Sequence, residues 1–255
     1  VGQLTFAERR SLVKRMLQVV AGRVPVVVGA SADDPDDVRA MAEFATGLGA
    51  TGVLVQAPVR LMNDPAATLD YFKAVCEAPI PMLMIQDLEW GGPGLPIPTI
   101  VRLFDEIEPF RCIKVETVPA GSKYTAVLEA TGGRLNVSGG WAVPQLIEAL
   151  DRGIHGVMPG GLHWVLVEVV RRYRNGDRAS ARELFARLLP ILGWQNQHID
   201  ISNQFLKLLA VRQGIYAGAR LRAPTVVFDR YHRRIADELI DDAIALHHEI
   251  GWQPA

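Results

Sequence analysis

The sequence is short of several things. It has two cysteines, Cys76 and Cys112, in 255 residues. Two are too few for a disulfide framework, and they have no metal-ligand spacing. Both lie in apolar stretches, where a free cysteine behaves as a small core residue. Charge of one sign is missing too. The formal net charge is -1, and neither half is strongly basic, which argues against nucleic acid or an anionic membrane as partner. No apolar run approaches a membrane span, and no stretch reads as a signal peptide. A soluble cytoplasmic protein is the expectation. Lysine is also scarce, with only five, at positions 14, 73, 114, 123 and 207.

What is present is a rhythm. Hydrophobic residues make up 49% of the chain, enough to fill the core of one large domain or two small ones. Short apolar runs alternate with amphipathic, helix-length segments. "VPVVVGA" (24–30), "TGVLVQAP" (51–58), "PMLMIQD" (81–87), "RCIKVE" (111–116), "RLNVSGG" (134–140) and "IHGVMPGG" (154–161) read as strands. Helices are expected over 34–50, 64–78, 97–108, 121–130, 142–152 and 162–175, the first opened by Asp-Pro and closed near Gly. Strands apolar on both faces suit a parallel sheet covered by helices. Strict alternation leaves two architectures, an open doubly wound sheet or a (β/α)8 barrel. Residues 5–20 form a helix with no strand before it, and beyond 176 the alternation stops, with helices over 178–193, 198–214 and 229–250. If the fold is a barrel, its first two strands and first helix are missing from this sequence. The expected organisation is a barrel over 1–176 and a helical extension over 177–255.

In parallel α/β folds ligands bind beyond the carboxyl ends of the strands. Those ends are mostly small or polar here, Trp141 after the fifth run excepted. Lys114 stands out because Ile113 and Val115 flank it, so alternation turns it to the face opposite theirs. Burying an ammonium is costly, and a neutral amine in a closed pocket can form a Schiff base with a ketone. The alternative is a buried ion pair with Glu116, on the same face. On strand pattern alone both readings stay open. Gln86 and Asp87 can hold a substrate hydroxyl or cap the next loop. Arg60 can hold a carboxylate or sit solvated. "NVSGG" and "MPGG" can cradle an anion or simply turn the chain. His155, His163, His232, His247 and His248 show no metal spacing.

Taken in order, these stretches resemble the dihydrodipicolinate synthase / N-acetylneuraminate lyase family, the pyruvate-type class I lyases. The segment from "TFAERRSLVKRMLQVV" to "TGVLVQAP" is similar to the family's second helix through fourth strand. "PMLMIQD" takes the fifth strand, "CIKVET" the sixth, and "NVSGGWAVPQLIEALDRGIHGVMPGG" the seventh and eighth. The resemblance implies a (β/α)8 TIM barrel with extra carboxyl-terminal helices, assembled as a homo-tetramer or homo-dimer. It puts the Schiff-base lysine at Lys114 and substrate-binding positions at Gly139 and Val157. Chemistry of this kind needs no cofactor or metal.

The departures are specific. The family's Gly–Thr/Ser–Thr/Ser–Gly–Glu motif is not in this chain. Its Tyr-Asn-x-Pro positions read Gln86-Asp87-Leu88-Glu89, its second tyrosine falls at Val59 or Arg60, and the arginine that follows has no counterpart in "LEWGGPG". The "IQD…IKVE" pattern is similar to the sugar-acid branch, 2-keto-3-deoxy-L-arabonate dehydratases among them. The expected function is a dehydratase or aldolase acting on a small 2-keto(-3-deoxy) sugar acid, with Lys114 and Glu116 catalytic and Gln86, Gly139, Arg60 and Val157 binding substrate. Dihydrodipicolinate synthesis, a silent keto-acid-binding barrel and a phosphate-binding barrel are the alternatives.

Overall fold

The computed structural model describes residues 3–140 and 144–251. Trp141, read as a strand end, and residues 142–143, read as the start of a helix, lie outside the described residues. The chain forms two compact units. One is Val1–Gly140 with Arg152–Gly156, and the other is Trp141–Asp151 with Val157–Ala255.

In chain order the elements are α1 (Phe6–Val20), β1 (Val27–Gly29), α2 (Pro35–Gly47), β2 (Gly52–Gln56), a 3-10 turn (Val59–Leu61), α3 (Pro65–Val75), β3 (Leu83–Leu88), α4 (Ile97–Glu106), β4 (Phe110–Glu116), α5 (Ala120–Ala130), β5 (Asn136–Gly140), α6 (Leu146–Asp151), β6 (Gly156–Met158), α7 (His163–Arg174), α8 (Arg178–Gln195), α9 (Ile199–Arg212) and α10 (Arg230–Glu249). Strand β1 is shorter than the apolar run that contains it. Pro25 has no N–H to give a ladder, and the Val26 N–H goes instead to the Thr51 side chain at 3.1 Å. The Asp-Pro pairs act as expected of helix starts. Asp34 accepts the Asp36 N–H at 2.9 Å, and Asp64 accepts those of Ala66 and Ala67 at 3.1 and 3.0 Å. At α1, Thr5 and Glu8 form a reciprocal capping box.

The strand order is β1-β2-β3-β4-β5-β6. The first five pair in parallel, each with the next. The division between the units falls inside β6, after Gly156. Register gives the two faces of the sheet different characters. Val55, Ile85, Ile113 and Val137 lie in one row, all with no exposed surface. Helices α2, α4 and α5 pack on β2, β4 and β5. One residue further on, on the other face, Gln56, Gln86, Lys114 and Ser138 lie in a second row. The same face carries Leu54, Met84 and Cys112 two residues earlier, so the expectation of two apolar faces holds in the strand middles and gives way to polar residues at their carboxyl ends.

The second unit is helical around a core that includes Trp164, Val169, Leu188, Phe205 and Ile240. Glu168 on α7 is a firmly held carboxylate. Arg171 donates to it at 2.6 and 2.7 Å and Arg172 at 2.8 Å. Hydrogen bonds from Arg171, reinforced by Arg172 and opposed by burial, hold the carboxyl down at about 2. A lowered carboxylate adds stability above its unfolded value, about 4.3, and loses that contribution as pH falls through its folded one. Glu168→Gln is expected to cost about 1–2 kcal/mol at neutral pH, discounted for solvent screening. The melting-temperature gap between variant and parent should close as pH is lowered from about 4.5 to 2.

Among the described residues no helix is long and apolar enough to cross a membrane.

Candidate active site

Strand β4 carries the centre of the site. Alternation turns Ile113 and Val115 into the helix-covered layer, both fully buried, and turns Lys114 and Glu116 to the other face. The two meet there: Lys114 Nζ lies 3.1 Å from Glu116 Oε2, with side chains only 15% and 7% exposed. The ion pair of the second reading therefore exists. It also puts a carboxylate within proton-transfer reach of the amine. Gln86, paired with Lys114 in register, donates its side-chain N–H to the same Glu116 oxygen. Behind the carboxylate stands Gly140, where an added Cβ would overlap the Glu116 side chain.

Gln86 and Asp87 part company. Gln86 faces Lys114, whereas Asp87 points the other way with no exposed surface and pairs with Lys123 of α5. Asp87 also accepts the Leu95 N–H at 2.8 Å. Burial pushes its carboxyl above the ordinary value, against the pull of Lys123. Of the two readings offered for these residues, Asp87 takes the loop-capping one.

The remaining positions are scattered. Gly139 is buried and in register with Val115, so only its backbone can serve the Lys114 side. Arg60 lies on the 3-10 turn after β2, and donates to the Asp33 carbonyl at 3.3 Å. With Arg9, Ser31 and Gln56 it lines a cleft of about 530 Å³. Val157 belongs to the second unit and packs against its apolar core. "NVSGG" is strand β5 itself rather than a turn, and Gly160 and Gly161 approach Leu206. His155 Nδ1 accepts the Val137 N–H at 3.0 Å, an ordinary structural use. Burial pushes the Cys76 thiol up to about 11 and raises that of Cys112, but both residues are only partly buried rather than core residues. Among the described residues no group of three or more His, Cys, Asp or Glu could hold a metal ion.

Four residues escaped the sequence reading: Gln56, Ser138, Lys123 and Gly140. The first two were visible only as polar residues late in strands. Lys123 had one signal, a lysine beside Tyr124 on a helix face that is otherwise buried.

A parallel sheet with helices on one face and a lysine, a carboxylate and an amide at the strand ends of the other defines a ligand-binding α/β protein. The model of the Dihydrodipicolinate synthetase family matches residues 2–243, and the chain belongs to that family. Its members are class I lyases. The chain is 28% identical over 228 residues to the L-2-keto-3-deoxyarabonate dehydratase of Azospirillum brasilense, covering 87% of this chain and 72% of that protein. It is 24% identical to the probable 2-dehydro-3-deoxy-D-pentonate aldolase YjhH of Escherichia coli K12, over 74% of this chain and 64% of the aldolase. The crystal structure of dihydrodipicolinate synthase from Rhodopseudomonas palustris superposes with a TM-score of 0.84 at 23% identity, covering 94% and 81% of the two chains. That last likeness establishes the fold.

Proposed function

We propose that this protein is a Schiff-base lyase acting on a small 2-keto-3-deoxy sugar acid. The observation that carries the reading is the contact of Lys114 Nζ with Glu116, itself held by Gln86, at the carboxyl ends of parallel strands. The six strands are taken as strands three to eight of a (β/α)8 barrel over 1–176, with 177–255 as its helical extension. A cytoplasmic homo-dimer or homo-tetramer goes with that reading.

The chemistry is as follows. Lys114 Nζ attacks the 2-keto carbon, and loss of water gives an iminium. The iminium draws electrons from the adjacent C–H bond, and Glu116, or a water held by Gln86, takes that proton. The resulting enamine expels the 4-hydroxyl, protonated as it leaves, and water is lost. Hydrolysis then frees the product and the lysine. In the aldol variant the iminium draws electrons from the bond between carbons 3 and 4 instead: the 4-hydroxyl gives its proton to Glu116 or the water on Gln86, carbon 4 leaves as an aldehyde, and the enamine regains a proton at carbon 3 before hydrolysis releases pyruvate.

Position favours a long, hydroxylated substrate. Neighbouring strands lie about 4.8 Å apart, so Gln56, two strands away, is roughly 10 Å from Lys114. The substrate carboxylate sits one bond from the reacting carbon, too near for Arg60 beside Gln56. Arg60 then serves the far end, while Ser138 and the Gly139 backbone serve the near end. An assay of five- and six-carbon 2-keto-3-deoxy acids, scored for pyruvate and for dehydrated product, tests the reading. Turnover of one of them supports it. Condensation of pyruvate with an amino-aldehyde acid, and no reaction with the sugar acids, would overturn it.

A further inference from the structure

Two buried charges in the first unit lie outside the chemistry just described. Asp87 has no exposed surface, and the Lys123 side chain is 8% exposed. Replacing such a pair by apolar residues is often neutral or favourable, so its retention calls for a reason. The partners supply one. Lys123 donates to the Pro93 carbonyl, and Asp87 accepts the Leu95 N–H at 2.8 Å. Between them Gly94 has φ +67°, and a Cβ there would overlap Asp87 and Thr117. An apolar pair would leave the Pro93 and Leu95 groups without partners. The same loop is fastened from its other end. Glu89 takes the Gly94 N–H at 2.7 Å and gives its own N–H to the Glu116 carbonyl at 3.3 Å, while the Val118 N–H goes to Gly92 at 3.1 Å. Residues 89–95 therefore run beside 116–118, just past Lys114 on β4, and expose Trp90 at 55%.

We infer that the Asp87–Lys123 pair is a latch that fixes loop 89–95 as one wall of the strand-end site, and so determines how well it holds the far end of a keto acid longer than pyruvate. Lys123 is a positioning residue here, since it acts through the loop. The inference rests on the proposed Lys114 chemistry only for its substrate readout.

The test compares the parent with Lys123→Met and with the uncharged pair Asp87→Asn/Lys123→Met, which keeps an acceptor for Leu95 if the single variant folds poorly. Borohydride trapping is titrated with pyruvate and with a five-carbon 2-keto-3-deoxy acid, and amide exchange is followed at Gly94, Leu95 and Val118. The expected result is an unchanged half-saturating concentration for pyruvate, about a tenfold rise for the five-carbon acid, and faster exchange at the three amides. A merely structural role would shift both acids together. Equal shifts, or unchanged exchange in both variants, would overturn the latch. If the parent traps neither acid, the lyase reading fails, and the amide exchange still decides whether the pair holds the loop.

Discussion

Lys114→Arg should leave a folded protein that no longer turns over keto acid. The guanidinium keeps the positive charge facing Glu116, so the buried carboxylate is not stranded. It stays protonated and cannot attack a ketone. The melting temperature should move by only a few degrees, a stability change of about 1 kcal/mol. Activity should fall by about 10⁴-fold or more, as when a covalent nucleophile is removed. The direct measurement is mass spectrometry after pyruvate and borohydride, with an adduct on Lys114 in the parent and none in the variant. If the lysine served only as an ion-pair partner, the arginine would preserve activity. An active Lys114→Arg enzyme, or a parent that takes up no pyruvate at Lys114, would sink the mechanism.

The second large effect belongs to Glu116. Glu116→Gln keeps the side-chain shape but removes the group able to accept a proton. The expected loss in kcat is about 10²-fold, the usual scale for a general acid or base. Pyruvate trapping at Lys114 should persist, because imine formation precedes the proton transfer assigned to Glu116. Gly140→Ala should copy part of this effect from the other side. Its methyl group needs space now filled by the Glu116 side chain, which is flexible enough to move and would leave Lys114 and Gln86 as it does so. If both variants run at parental rate, the proton is moved by something else, with a water on Gln86 the first alternative.

Much of the fold could be read in advance because its signals are local. Asp-Pro before an amphipathic stretch starts a helix wherever it occurs, and Asp34 and Asp64 do so. The Lys114–Glu116 contact was readable for the same reason, since two residues on one strand share a face. Register is not local. That Gln56, Gln86, Lys114 and Ser138 share a row depends on how four strands slide against one another, which none of their own stretches encodes. Lys123 and Asp87 lie 36 positions apart, on a helix and a strand, and only packing makes them partners. Gly140 offered no cue either, because what it avoids is the side chain of Glu116, far earlier in sequence and on another strand.

The two-faced sheet has a further bearing, on how such a protein can change. The row of Val55, Ile85, Ile113 and Val137 carries the packing, and the row one residue along carries the chemistry. Substitutions in the second row need not disturb the first, since alternate residues point to opposite sides. A lineage can therefore change Gln86 or Glu116 and try a new reaction on an old scaffold while the hydrophobic layer keeps the sheet folded.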